Sequence, residues 1–188
     1  MDTEAHWARE AIDSMTARLI VSGSGKDTFS PNRKVTRSEF AAIAVRSLGF
    51  MRAVEESSAF SDVRDGTWEH DPVVIASESG IVSGFENGTF QGDSNMTREQ
   101  GMVMLANALQ LVLGDSYVPM TEEEADAVLQ QYGDGAQASD WAKPSIACLI
   151  KAGIVRGDDS MQLHPLDTLT RAQAVTIISS MLEHISYI

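Results

Sequence analysis

The sequence contains little cysteine, few aromatic residues and little positive charge, and each shortage excludes a class of structure or partner. Cys148 is the only cysteine among the 188 residues, so no disulfide can form within the chain. Aromatic residues make up 6%, so the core must be built mainly from Ala, Val, Ile, Leu and Met. Lysine and arginine number 14 against 27 acidic residues, giving a net charge of −13. Nucleic acids and anionic membrane surfaces are bound through Lys and Arg, so neither is an expected partner.

Long apolar segments and familiar catalytic motifs are also missing. No run of 18 apolar residues predicts a membrane-spanning helix. No signal peptide is recognisable, so we expect the chain to be a piece of a longer precursor. The four histidines lack metal-ligand spacing, and there is no nucleophile elbow, P-loop or dinucleotide fingerprint. We therefore expect no enzymatic activity, no metal and no cofactor.

The sequence does contain an internal repeat. Thirty residues after each tryptophan comes the arginine of a Thr-Arg pair, and the three pairs of markers are Trp7 with Arg37, Trp68 with Arg98, and Trp141 with Arg171. Sixteen residues after each tryptophan lies a glycine, and six residues further lies an apolar residue: Gly23 and Phe29, Gly84 and Phe90, Gly157 and Leu163. Four markers that recur three times with the same spacing indicate three units of similar structure.

Each unit predicts two helices. The first follows the tryptophan, at residues 8–20, 69–81 and 142–154, and the second follows the Thr-Arg pair, at 37–48, 98–113 and 171–184. An additional helix is predicted at 121–132, and a short polar linker at 52–58. One helix pair could not bury its apolar face alone. We therefore predict an all-α fold in which units 1–51, 52–114 and 115–188 form one pseudo-threefold bundle, with the additional helix between the second and third units.

The second helices begin with a capping-box pattern, in which Thr precedes Glu or Gln by three residues. The pairs are Thr36 with Glu39, Thr97 with Gln100, and Thr170 with Gln173.

The capping boxes leave the arginines unexplained. They place Arg37, Arg98 and Arg171 at the positive end of a helix dipole, at a cost of roughly 0.3–1 kcal/mol each. An anionic ligand would justify them, because helix starts and guanidinium groups both bind anions. The alternative is a structural salt bridge to an acid such as Asp62 or Asp134.

The other candidate residues each have a structural and a ligand-binding interpretation. Trp7, Trp68 and Trp141 are either core anchors or platforms on which a sugar ring stacks. Asp62 and Asp134 either organise a turn or bind sugar hydroxyls. Gly80 and Gly153 end helices, and close approach of a ligand is a secondary role for them.

These residues resemble the S-layer homology family. The resemblance rests on Phe60-Ser61-Asp62-Val63, Trp141-Ala142-Lys143, Asn87-Gly88-Thr89-Phe90 and Thr36-Arg37-Ser38-Glu39, although the first unit lacks the Phe-Ser-Asp opening. The resemblance implies a non-catalytic module of a larger extracellular surface protein, in the bacterial cell wall or S-layer. It also implies that grooves between units bind a cell wall polysaccharide, a secondary cell wall polymer that often carries pyruvylated N-acetylmannosamine. The alternatives are modified peptidoglycan or a protein partner as the ligand, and glycan cleavage as the activity.

Overall fold

The computed structural model describes residues 2–50 and 58–186 and consists of helices joined by turns. The helices are α1 (Arg9–Ala17), α2 (Arg37–Ser47), α3 (His70–Glu78), α4 (Arg98–Leu113), α5 (Glu122–Leu129), α6 (Lys143–Lys151) and α7 (Arg171–His184). Short 3-10 turns occupy Gly114–Ser116 and Gly135–Gln137. Within the described residues, β-pairing is limited to isolated bridges. The predicted all-α class and the additional helix, α5, are confirmed.

The predicted capping boxes are present at the starts of α2, α4 and α7. At α2, the backbone N–H of Glu39 donates to the Thr36 hydroxyl at 3.3 Å, and the Glu39 carboxylate accepts from the Thr36 N–H at 3.1 Å. A fourth box, which the sequence analysis did not identify as one, starts α5 with Thr121 and Glu124. These reciprocal bonds fix the starts of the helices at the predicted residues.

The first helix of each unit is shorter than predicted. Helices α1, α3 and α6 end three residues before the expected boundary. Two residues after each helix the backbone turns into the left-handed region, at Leu19 (φ 60°), Gly80 (φ 71°) and Gly153 (φ 73°). A left-handed residue just beyond a helix terminates it. The apolar residues that follow therefore belong to the loop.

The three units contact one another in a closed ring. The second helices α2, α4 and α7 contact each other in all three pairings. Each also packs against the first helix of the next unit, α2 on α3, α4 on α6 and α7 on α1, while α5 packs on α6. Each unit thus buries its apolar face against its neighbours, as expected for helix pairs that have no core of their own.

Backbone hydrogen bonds close the centre of this ring. The N–H of Val35 donates to the carbonyl of Leu169 (3.0 Å), the Leu169 N–H donates to that of Met96 (2.8 Å), and the Met96 N–H donates to that of Val35 (3.3 Å). All three residues are completely buried. The units are therefore joined by main-chain bonds that do not depend on side-chain identity. A rotation axis that relates the units, and the unit boundaries themselves, stay predictions.

No helix in the described ranges is long and apolar enough to cross a membrane. The linker predicted at 52–58 lies outside the described residues except for Ser58.

Candidate ligand-binding grooves

Arg37 is buried and bonded to the loop of the second unit. Its Nε donates to the carbonyl of Phe90 (2.9 Å) and its Nη2 to the carbonyl of Ser83 (3.0 Å). Its guanidinium also lies 5.1 Å from the ring centre of Phe85 and 4.7 Å from that of Phe90. Carbonyl dipoles and aromatic faces stabilise a cation. Stabilisation of this arginine by the neighbouring loop was not considered from the sequence.

Arg171 binds the next loop in the same way, and Arg98 binds it through the equivalent Nε bond. Arg171 donates from Nε to Phe29 (3.1 Å) and from Nη2 to Ser22 (3.0 Å). Arg98 donates from Nε to the carbonyl of Leu163 (2.8 Å). Burial lowers the pKa of all three guanidinium groups, although an arginine stays protonated at neutral pH. Each arginine thus connects its own unit to the loop of the next one around the ring.

The N–H groups at the helix starts are also engaged, so they are not open to an anion as the sequence analysis assumed. At α2, the N–H of Arg37 donates to Ser94 (3.1 Å) and that of Ser38 to Gly92 (3.0 Å). Equivalent bonds run from α4 and α7 to the next unit: Arg98 to Asp167, Glu99 to Pro165, Arg171 to Arg33 and Ala172 to Pro31. The capping threonine takes the third N–H. A ligand could therefore contact these arginines only through their side chains, and not through the backbone N–H groups of the helix start.

Asp62 and Asp134 organise the loop of their own unit. Asp62 accepts the N–H groups of Phe90 (2.7 Å) and Gln91 (2.8 Å). Asp134 accepts those of Leu163 (2.7 Å) and His164 (2.6 Å). Both oxygens of each carboxylate are thereby occupied, as the turn-organising interpretation requires. Among the ion pairs of the described residues, neither aspartate is paired with an arginine.

Asp2 holds the same position in the first unit, and the sequence analysis missed it. Its two oxygens accept from Phe29 (2.8 Å) and Ser30 (2.7 Å). The signal was the spacing from aspartate to the apolar loop residue, which is 27 residues here, 28 from Asp62 to Phe90, and 29 in the third unit. The Phe29 N–H lowers the pKa of Asp2; at Asp62 burial raises the pKa, but the loop N–H groups bring it below its ordinary value.

The three tryptophans lie at the surface. The exposed fractions are 65% for Trp7, 59% for Trp68 and 57% for Trp141. Their interpretation as core anchors is therefore wrong. A large aromatic side chain that is left exposed at the same place in three units is available for contact with a ligand.

The glycines fall into two groups. A side chain at Gly80 or Gly153 would meet open space, so positive φ is what favours glycine there, although Leu19 adopts the same conformation at the equivalent position of the first unit. Gly84 is crowded instead, because an added Cβ would lie 2.9 Å from the carbonyl of Thr89 and would contact the Phe60 ring. Gly23 and Gly157 are similarly crowded against their own loops. These crowded glycines let each loop fold tightly on the arginine that reaches it.

One groove, which we call the Trp68 groove, lies between the first and second units and has a volume of about 330 Å³. Its floor is the side of α2, and Trp68 of the second unit and Arg171 of the third complete it. The lining residues are Val21, Ser22, Gly23, Ser24, Arg33, Glu39, Ala42, Ile43, Arg46, Trp68 and Arg171. Glu39 pairs with Arg33 (2.5 Å) and Arg171 (3.6 Å).

The corresponding Trp7 groove lies between the third and first units and is larger, about 1060 Å³. Its floor is α7, and it includes Trp7, Arg98 and Gly153. Its loop side contains Asp158, whose carboxylate accepts from His164 Nε2 at 2.9 Å. In this pair the Asp158 hydrogen bond raises the pKa of His164.

Both grooves take residues from all three units. In each, the loop and floor come from one unit, the tryptophan from the next, and the arginine of the Thr-Arg pair from the remaining one. By the same register we expect Trp141 to belong with the loop of the second unit, where the Phe85 ring lies over Arg37. The sites thus depend on closure of the ring. Among the described residues, no cluster of His, Cys, Asp and Glu is arranged to hold a metal ion.

Comparison with known proteins gives a consistent assignment. The S-layer homology domain matches residues 2–41, 59–100 and 131–175. An amylopullulanase of Thermoanaerobacterium thermosulfurigenes is 32% identical over 97% of this chain and 9% of that protein. An exoglucanase XynX of Acetivibrio thermocellus is 31% identical over 97% of this chain and 16% of that protein.

A surface-layer 125 kDa protein of Lysinibacillus sphaericus is 23% identical over 95% of this chain and 14% of its own length. The chain therefore spans only a small part of each of these relatives, and that part is shared between enzymes and an S-layer protein. What they share is the module that attaches a protein to the cell wall. The chain belongs to the S-layer homology family, as three tandem repeats forming a non-catalytic anchoring module of the bacterial cell surface.

Proposed function

We propose that this module holds an anionic secondary cell wall polymer in the grooves between its units, and that pyruvyl ketals on the glycan supply the carboxylates. The residues proposed to bind it are the exposed tryptophans and the arginines reaching the grooves. The aspartates Asp62 and Asp134 and the glycines Gly80 and Gly153 shape the loops around the ligand.

The charge of the Trp68 groove is the observation that carries this proposal. Three arginines line it against one glutamate, on a chain whose net charge is −13. Positive charge concentrated in a concave site raises the local concentration of anions even on an acidic protein. Arginine also binds a carboxylate with two parallel hydrogen bonds.

The tryptophan supplies the second component of a sugar site. Trp68 is 59% exposed at the edge of this groove. An aromatic face covers the C–H groups of a pyranose while the polar edges of the sugar contact the arginines. Aromatic and cationic groups together match a sugar that carries a carboxylate.

Two grooves on one module also match a repetitive polymer. When one groove has bound, the second meets the same chain at a high effective concentration, which raises the overall affinity without new contacts. We propose that the complete protein carries this module beside a larger extracellular part, either an enzyme or an S-layer protein.

A pull-down with purified peptidoglycan sacculi tests the proposal, before and after hydrofluoric acid removes the secondary polymer. We expect binding that disappears on stripping and that weakens in Trp68→Ala. Binding that survives stripping would assign peptidoglycan as the ligand. Absence of binding to both preparations would favour a protein partner, and either result overturns the proposal.

A further inference from the structure

The two grooves carry opposite charges, although they are built from equivalent positions. Three arginines and one glutamate line the Trp68 groove. Two arginines and three carboxylates line the Trp7 groove, the latter being Asp158, Asp159 and Glu183. With histidines neutral, the first groove has an excess of two positive charges and the second an excess of one negative charge. Two histidines, His164 and His184, also line the Trp7 groove, and even with both counted as cations its charge stays below that of the Trp68 groove.

Substitutions at matching positions create this contrast. Arg46 lies on the floor of the Trp68 groove, where the Trp7 groove has Ser180. Ser24 in the first loop corresponds to Asp158 in the third. Arg46 is exposed, and among the hydrogen bonds and ion pairs of the described residues none involves its side chain. Its guanidinium is therefore available to a ligand.

The arginine of the Trp7 groove has three acids around it, whereas Arg171 in the Trp68 groove has two acids, Glu39 and Asp2, and the cation Arg33. Arg98 interacts electrostatically with Asp167, Asp134 and Asp158. A carboxylate of a ligand that approaches Arg98 must also approach these acids, and like charges at close range oppose binding. Glutamine, threonine and serine side chains supply neutral hydrogen-bonding groups along the α7 floor: Gln173, Thr176 and Ser180.

The volumes of the two grooves also differ. Small-molecule sites generally have volumes of roughly 300–1,000 Å³. The Trp68 groove, at about 330 Å³, is at the lower end of this range, and the Trp7 groove, at about 1060 Å³, is slightly above it. The small groove is suited to a single substituted sugar, whereas the large one has room for several sugars.

We propose that the two grooves take different parts of one polymer, the Trp68 groove its carboxylate-bearing sugar and the Trp7 groove an uncharged stretch of the glycan. This inference rests on the proposed function, because it assumes that the polymer is the ligand. It assigns Arg46 as a residue that determines charge specificity and Trp7 as one that binds without regard to charge.

Titration calorimetry with two probes tests the assignment. One probe is the wall polymer released by hydrofluoric acid, and the other is the same polymer with its carboxyl groups reduced to alcohols. We expect Arg46→Gln to lower the selectivity for the native polymer over the reduced polymer by roughly threefold to tenfold. Trp7→Ala should weaken binding of both probes by a similar factor and leave the selectivity unchanged.

Two further variants control for charge and position. Arg18→Gln removes an exposed arginine outside both grooves and should leave the selectivity as it is in the wild type. Ser180→Arg introduces a cation at the α7 position equivalent to Arg46, so it should raise the affinity for the native polymer. Circular dichroism spectra establish that each variant is folded.

The outcomes separate the two proposals. If the wild type binds neither probe, the proposed function fails. If the wild type binds but Arg46→Gln and Trp7→Ala change the selectivity equally, the assignment of separate roles to the grooves is overturned. Failure of the reduced polymer to bind at all also overturns it, because both grooves would then require the carboxylate.

Discussion

The contacts between units are almost the same three times, whereas the linings of the grooves differ from one groove to the next. Each unit gives an arginine to the next loop, through bonds to Phe90, Leu163 and Phe29. The groove floors, by contrast, have Arg46 in one case and Ser180 in the other. The units are thus nearly identical at the contacts that close the ring, and they differ at the surfaces that would contact a ligand. Substitutions at the contacts between units should therefore lower stability, and substitutions in the groove linings should mainly change binding.

The largest effect is expected from breaking a loop inside the ring. Asp134 is 5% exposed, and its removal in Asp134→Ala leaves the N–H groups of Leu163 and His164 without their acceptor. We expect the free energy of unfolding to fall by about 2–4 kcal/mol, measured by urea denaturation. Asp62→Ala is the matched control, and it should cost less because Asp62 is exposed to water. Equal losses in the two variants would contradict this explanation.

Crowding of a loop glycine gives the next largest effect. Gly84→Ala forces a Cβ against Thr89 and Phe60, and we expect a loss of about 1–3 kcal/mol in unfolding free energy. Gly25→Ala in the first loop meets no atom within 4 Å and should be nearly neutral. Thermal unfolding of both variants measures the difference. A stable Gly84→Ala protein would show that the loop can move away from its arginine.

Removal of a groove tryptophan should affect binding and not folding. Because Trp68 is 59% exposed, Trp68→Ala should change the unfolding free energy by no more than about 0.5 kcal/mol. Its affinity for the wall polymer should fall about tenfold, which corresponds to about 1.4 kcal/mol. Denaturation and calorimetry on the same sample make the test. Strong destabilisation of Trp68→Ala would show instead that Trp68 stabilises the fold.

The smallest effect is expected from making the first unit resemble the other two. Glu39→Gln keeps the capping box, as Gln100 and Gln173 do, but removes the charge shared with Arg33. Burial raises the pKa of Glu39, yet the Arg33 hydrogen bond and the Thr36 N–H bring it below its ordinary value of 4.5.

A depressed pKa contributes stability above pH 4.5, and this contribution is lost as the pH falls through the lower folded-state value. The wild type should therefore lose more stability than Glu39→Gln between pH 7 and pH 3, as measured by melting temperature. Parallel losses would show that the Glu39 charge has no net effect on folding.

The helices and their starts could be predicted from the sequence because their signals are local. The capping pairs and the register from Trp to Arg fixed the starts of α2, α4 and α7 at the observed residues. The predicted ends of the first helices were too late. Leu19 gives no warning that it adopts a left-handed conformation, whereas at Gly80 and Gly153 the glycine was a signal and the apolar residue after it was wrongly assigned to the helix.

The environment of the site residues was harder to predict because it depends on other units. The carbonyls of Ser83 and Phe90 that receive Arg37 are 46 and 53 residues away along the chain. No local pattern indicates such contacts, so the arginine looked unpaired. Burial of the tryptophans was equally undetermined, since a helix start can face either the core or a groove.

The sharing of each groove among three units limits how such a module can arise by duplication. A single unit has a loop and a floor but lacks both the tryptophan and the Thr-Arg arginine of its groove. Two joined units still lack one of these parts. Partial copies of the repeat would therefore offer no complete groove on which selection for wall binding could act, unless separate chains assembled to supply the missing unit.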